Sequence, residues 1–376
     1  MKRLGWLVGL VILSAPVWAA QKITVEQLKA MLAADKQAQK PDADVAAELR
    51  NVELMEQLTH STMNGLAANV PGPLTTEQLF VLEIRSAVLV PPAADVPDKP
   101  APDAAAQKAI LDKARAYAST TYAQLPPVSA TKVTRRFQDG AQQESGSAKN
   151  NANLAAVVTP IRYTASDETE ATFRNGAEQD APSQKTVWGQ NGMIALMGQE
   201  PVLSAVMEEA QAGGKISWLR WQRVFGETLA VFSFAVEKKK SHYALDYCCF
   251  PEVTQAGQMS LRGTESPGGA GNYQSQDQWK HWKTTAPYHG EIYINPDTGV
   301  VMRLVVQAEL KGSDPVRVEN QRIDYGPEKV GDKSLVVPVQ VLIDTLEQPY
   351  PDSQTGRFIM RHTLFIRDYK GYRAGS

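Results

Sequence analysis

The chain has 376 residues, 43% of them hydrophobic and 21% charged, a composition that excludes intrinsic disorder, collagen-like repeats and a disulfide-dense mini-scaffold. Its 39 lysines and arginines balance 41 acids, so no long-range basic field exists to gather nucleic acid or anionic lipid. At this length two domains are the starting expectation, since one core typically serves about 100 to 200 residues.

The opening MKRLGWLVGLVILSAPVWAAQ has the three parts of a secretory leader: Lys2 and Arg3, an apolar stretch from Leu4 to Leu13, and small or aliphatic residues at Val17 and Ala19. It predicts a signal peptide over residues 1–19, cut after Ala19, and a protein exported to the periplasm or the extracellular space. The apolar run is shorter than the ~20 residues that span a bilayer, and Pro16 breaks it, so no transmembrane anchor is expected after removal. Loss of Lys2 and Arg3 takes the formal charge from −2 to −4.

Residues 20–125 carry apolar side chains at helical spacing and read as a helical domain. Thr24 followed by Gln27 resembles a capping box opening a first helix with Val25, Leu28, Met31 and Leu32. A second helix is expected from Asp42 to Thr62, with Val45, Leu49, Val52, Leu54, Met55 and Leu58 as its stripe. After the VPGPL turn, a third starts near Thr75. PPAADVPDKPAP is a stiff connector, because proline fixes φ and restricts its predecessor. A fourth helix runs from Asp103 to Tyr122.

Residues 126–376 change period from about 3.6 to 2, and β-branched residues take over. Their short connections predict a large curved antiparallel sheet, interrupted by one helix over Pro201–Ala212. The fold class is therefore α+β, with a half-barrel-like second domain. NPDTG is a hairpin turn in which Gly299 supplies a positive φ. Asp297 within it lacks the spaced oxygen ligands of a calcium loop. Pro338 places its strand at an edge or at a bulge. Asp167-Glu168-Thr169-Glu170 reads as a solvated hairpin tip.

In KISWLRWQRVF, simple alternation puts Trp218 on one face and Leu219, Trp221 and Phe225 on the other, so both faces need cover. Phe232 and Phe234 form a bulky face on the next strand. These aromatics are either ordinary core or the lining of a ligand hollow. The stretch 251–287 is long enough to be a mobile binding loop. Within it, Trp279 and Trp282 would share one side of a helical turn and would either anchor the loop or act as a flap. The candidate ligand-binding residues are thus Trp218, Trp221, Phe232, Phe234, Trp279 and Trp282.

Cys248 and Cys249 are the only cysteines and form the candidate redox pair. Adjacent alpha carbons lie about 3.8 Å apart, below the ~4.4 Å minimum of an ordinary disulfide, so three states stay open: a strained ring, two packed thiols, or a link to another chain. His242, Asp246 and Cys248 share strand parity, but six residues of strand span about 20 Å, too far for one ion. No metal and no cofactor is expected. Ser129 to Lys132 has S-x-x-K spacing, yet it reads as a strand and lacks the partner motifs. Nucleophile-elbow, zincin, P-loop and dinucleotide fingerprints are absent.

The block HGEIYINPDTGVVMRLVVQAEL, followed by the YGP turn at Tyr325 to Pro327 and the Gly-Asp-Lys turn, resembles the C-terminal part of uncharacterised exported bacterial proteins. ITVEQLKAMLAA, ANVPGPL and VPPAADVP resemble them as well. Over the last ~90 residues, strand order and turn style are distantly similar to the lipoprotein-carrier, LolA-like type of half-barrel. That resemblance implies a sheet curled around an apolar cavity for a lipid or lipoprotein. Two further readings stand beside it: a structural or regulatory module docking an envelope protein through its helical region, and an enzyme using His281, His289 and His362. With no catalytic signature in the sequence, a non-enzymatic role is the expectation.

Overall fold

The computed structural model describes residues 20–139, 160–179, 201–213, 215–251, 279–351 and 358–375. The leader, most of the 251–287 stretch and residues 155–159 of the AAVVTP segment lie outside them.

The first helix, α1 (Val25–Gln37), forms where its cap predicts: the Gln27 amide donates to Thr24 Oγ1 and the Thr24 amide donates to the Gln27 side chain. The helix expected from Asp42 to Thr62 is instead three elements, α2 (Asp42–Leu49), β2 (Val52–Leu54) and α3 (His60–Ala67). Two local facts break it. Val52–Leu54 pairs in parallel with β1 (Gln21–Ile23), and Thr59 accepts from the Thr62 amide, which starts a new helix. Spacing alone missed this, because Val45, Leu49, Val52 and Leu58 satisfy a helical stripe and are equally buried across the break.

The third expected helix, α4 (Pro73–Arg85), starts two residues early, with proline in its first turn. Its cap comes from another helix: Asp42 accepts from the Leu74 and Thr75 amides at 3.0 and 2.9 Å and from the Thr75 hydroxyl at 2.6 Å. Gly72 makes the approach possible, since a Cβ there would lie 2.6 Å from the Asp42 carboxylate. Burial works to raise the Asp42 carboxyl, but these bonds hold it below its ordinary value. Together β1, β2 and α1–α4 bury a core of their own around Leu28, Leu49, Leu58 and Leu79.

The remaining elements are α5 (Ala104–Ala116), which continues as a π-helical turn over Tyr117–Tyr122, then β3 (Val128–Gln138), β4 (Arg162–Arg174), β5 (Ala177–Glu178), α6 (Leu203–Ala212), β6 (Ile216–Val224), β7 (Glu227–Val236), β8 (Ala244–Pro251), β9 (Trp279–Thr285), β10 (Tyr288–Ile294), β11 (Val301–Ala308), β12 (Val316–Val330), β13 (Lys333–Pro351) and β14 (Phe358–Ala374). Ten strands make one antiparallel sheet in the order β5-β4-β3-β14-β13-β12-β11-β10-β7-β6, open at both ends. The hairpin β8–β9 stands apart. On the sheet's inner face, α5, the π turn and α6 pack Ile110, Ala114, Tyr122, Val206 and Met207 into the main core. On the outer face, α4 sets Val81 and Ile84 against Phe137, Leu342, Leu364 and Ile366. The proline-rich connector links the two layers past edge strand β6, where Trp221 Nε1 donates to the Pro100 carbonyl at 2.9 Å.

Pro338 lies at a bulge: Asp324 faces Gln340 while Tyr325 faces Pro338, leaving Val339 extra. Its strand is central, so the edge alternative falls. Asp167 to Glu170 stands mid-strand in β4, opposite Thr134 to Thr131, and not at a hairpin tip. The true turn is Asn175-Gly176, both at positive φ. Gly299 has φ +78 as expected, and a Cβ there would also lie 2.6 Å from the Lys113 backbone.

Asp42→Ala should destabilise the protein by about 1–2 kcal/mol, the usual cost of a lost helix cap. Urea unfolding measures it. An unchanged midpoint would show that α4 needs no cap from α2.

Candidate functional site: a cleft between the helical layer and the sheet

The aromatic candidates converge, though not as simple alternation has it. Trp218 faces Phe232 and Arg220 faces Val231, so Leu219 is an extra residue and the strand re-phases. Trp218 and Trp221 therefore share the inner face, rings 4.9 Å apart, with Trp218 edge-on to Phe232 at 5.4 Å. Trp221, Phe232 and Phe234 are buried in the main core together with α5 and α6. Trp279 and Trp282 do not sit on a helical turn: both belong to strand β9. Trp282 packs 6.1 Å from Tyr247; the side chain of Trp279 lies outside the described residues. So do those of Cys248 and Cys249, whose backbone falls at an irregularity in the β8–β9 pairing.

Away from the aromatics, the inner face turns polar. Glu319 accepts from the Tyr247 and Tyr243 hydroxyls and from Gln321, while Glu347 accepts from Thr363 at 2.9 Å, its Oε2 buried without a donor among the described residues. Burial pushes both carboxyls up to about 7. Sequence reasoning missed this pair, because in a strand a buried glutamate and a solvated one have the same parity signal.

Among the described residues, His289 and His362 do not assemble. His289 is on β10 and His362 on β14, with three strands between, which is about 19 Å. His242 Nδ1 lies 2.9 Å from Glu209, and Asp246 pairs with Lys283. The side chain of His281 lies outside the described residues. Among those residues, no group of three or more histidines, cysteines or acids is placed to hold a metal. Ser129 and Lys132 lie in strand β3, and Lys132 pairs with Glu178.

The outer face carries two polar knots beneath the helices. Arg303 grips Asp324 through Nε and Nη2 at 2.5 and 3.1 Å, Arg322 reaches Asp324 at 3.3 Å and Glu83 at 3.2 Å, and His60 Nδ1 meets Glu83 at 3.0 Å. Burial favours a higher pKa for Asp324, but the two guanidiniums hold it below its ordinary value; Glu83 raises that of His60. Nearby, Arg220 clasps Glu291 at 3.0 and 2.7 Å, and the Tyr293 hydroxyl donates to the same carboxylate.

Beside these knots opens a cleft of about 260 Å³, several times the room one water needs. Helix α4 supplies Gln78, Val81, Leu82 and Arg85, which recur at helical spacing and so line one wall. The end of α2 gives Leu49 and Arg50, and β2 gives Val52. The sheet contributes Asp139, Pro160, Ile161 and His362. The floor is stitched by backbone: the Asp139 amide donates to the His362 carbonyl, and the His362 amide donates to Asp139 Oδ1 at 3.0 Å. Gln78 Nε2 donates to the Ile161 carbonyl.

Electrostatically the cleft is rich in donors. Among the described residues neither Arg50 nor Arg85 makes an ion pair or side-chain hydrogen bond, and Arg50 Nε is buried without an acceptor. Burial, reinforced by the Arg85 charge, pushes His362 down to about 4, so it is neutral at pH 7. Behind it Asp344, raised by burial to about 6, lies 3.9 Å from His362 Nδ1. Burial also raises Asp139. Leu49, Arg50 and Arg85 were invisible to motif reading, because they are distant in sequence and match no motif.

No family model, no curated protein and no solved structure matches this chain.

The buried carboxyls make a pH prediction. Glu319 and Glu347 hold protons in the folded state that the unfolded chain loses above about 4.5, so their contribution is complete below that value and lost as pH rises through about 7. Glu347→Gln should flatten the fall in melting temperature between pH 5 and 8. Parallel curves for wild type and variant would contradict it.

Proposed function

We propose that this is an exported, non-catalytic binding protein of the cell envelope that takes a small solute in the cleft between α2, α4 and the end of the sheet. The single observation carrying this reading is Arg50, which makes no ion pair among the described residues and whose Nε is buried without an acceptor there, beside a half-apolar hollow of about 260 Å³ that the exposed Arg85 also lines. A buried donor without an acceptor costs about 1–3 kcal/mol, a cost that a bound acceptor removes. Export rests on the sequence alone, on Lys2, Arg3, the apolar run to Leu13 and Ala19. Among the described residues no helix is long and apolar enough to cross a membrane.

The carrier reading needs a greasy interior open to lipid. Trp218, Trp221, Phe232 and Phe234 cluster, but α5 and α6 pack into the same core, and the other end of the same face is lined by Glu319, Glu347 and Thr363. Both features favour the outer cleft over an inner cavity.

Thermal-shift screening of small solutes tests the reading. A solute at 100 times its Kd should stabilise the protein by about 2.7 kcal/mol, a rise of several degrees. Ile161→Trp, which narrows the cleft, should abolish the rise. One-to-one uptake of a fluorescent fatty acid, unaffected by Ile161→Trp, would overturn the proposal and restore the carrier.

A further inference from the structure

Around the cleft the charges are matched and the hydrogen bonds are not, and this difference specifies the ligand more closely. Resting on the binding role above, we infer that the ligand is uncharged, a primary amide on a short apolar body. Its carbonyl meets Arg50, its N–H groups meet Asp139, and its body lies against Leu49, Val52, Val81 and Leu82.

Charge excludes ions of both signs. Asp139, Asp344 and Glu77 lie in or around the cleft, and each sits in the field of one guanidinium, that of Arg361, Arg85 and Arg50 in turn. Asp42, the other acid that Glu77 feels, is spent on the first turn of α4. His362 is neutral. Three acids against three cations leave no net charge for a ligand to answer. Burial already pushes all three carboxyls up, so an added anion is opposed. An added cation would lie against Arg50 and Arg85. Either ion would be desolvated without a counter-ion, a cost that an uncharged ligand does not meet.

Hydrogen-bond counting carries the class. The Arg50 guanidinium makes no hydrogen bond among the described residues, and its Nε is buried without an acceptor. Arg85 is exposed and has water to bond, so the demand for an acceptor comes from Arg50 alone. Asp139 accepts the His362 amide through Oδ1, and its Oδ2 takes no donor from any other described residue. One unused donor group and one unused acceptor line the same cleft. A primary amide answers both, because its carbonyl accepts and its N–H groups donate from a separate atom.

The apolar half decides the body. Leu49, Val52, Val81 and Leu82 are almost fully buried, yet they border the hollow. A chain of four or five methylenes laid along them gains roughly three- to fourfold in affinity per group buried. A bare amide has nothing to place there.

Calorimetry on the full chain with four probes separates the possibilities: hexanamide, hexanoate and hexylammonium share one body, and acetamide is the amide without it. Hexanamide should bind one to one, at least tenfold tighter than the other three. Arg50→Met should weaken it tenfold or more, with Arg50→Lys recovering part of the loss, and unchanged melting of both variants excludes misfolding. Asp344→Asn removes an acid that lies behind His362, out of the ligand's reach. Hexanoate should then tighten threefold or more while hexanamide stays as it was. Hexanoate or hexylammonium binding as tight as hexanamide, and abolished by Ile161→Trp, would overturn the uncharged ligand and leave the cleft as a binding site. Acetamide binding as tight as hexanamide would overturn the apolar body. Hexanamide binding indifferent to both Arg50→Met and Ile161→Trp would overturn the assignment to this cleft. No binding by any probe would overturn the ligand class, and the binding role falls with it only if the broader solute screen is also empty.

Discussion

A short run of buried charge fixes how the helical layer lies on the sheet. Glu83 on α4 and Arg322 on β12 are fully buried, and Arg322 continues through Asp324 to Arg303. Two unit charges about 4 Å apart gain roughly 4 kcal/mol at an effective dielectric near 20, while desolvation costs several kcal/mol per ion. The two terms nearly cancel, so the network's main consequence is geometric. Any other seating of α4 would strand a charge in a dry interface, a loss of about 3–5 kcal/mol. That constraint sets the position of Gln78, Val81, Leu82 and Arg85, all within about a turn and a half of Glu83 on α4, and with it the shape of the cleft.

The two faces of the sheet therefore serve different ends. The inner face is filled by α5, the π turn and α6 at the aromatic end and lined by hydrogen-bonded carboxyls at the other. The outer face is covered by the helical layer except beside α2 and α4. The connector past β6, anchored by Trp221 to Pro100 and by Arg223 to Ala94, lets one chain supply both layers.

Much of this was legible in the sequence, and the failures have a common cause. The capping box at Thr24, the hairpin at Gly299, the antiparallel strands and the inserted helix all rest on local chemistry, which a linear reading captures. The split of the second helix depends on Val52–Leu54 finding Gln21–Ile23. The face of Trp221 depends on an extra residue at Leu219, which reverses the parity of everything after it. The cap of α4 depends on Asp42, some thirty residues upstream. Each is a tertiary contact without a periodic signature. The cleft is the extreme case: its lining comes from α2, β2, α4 and the neighbouring strands β3, β4 and β14 with their flanks, and no window of sequence holds more than three or four of its residues.

Amide hydrogen exchange with and without bound solute measures the central claim most directly, because it reports which face responds. The account predicts slowed exchange confined to Leu49–Val52, the C-terminal half of α4 and the Asp139–His362 pairing, with β6, β7 and α6 unchanged. Slowing centred on β6, β7 and α6 would place the ligand inside the sheet and contradict it.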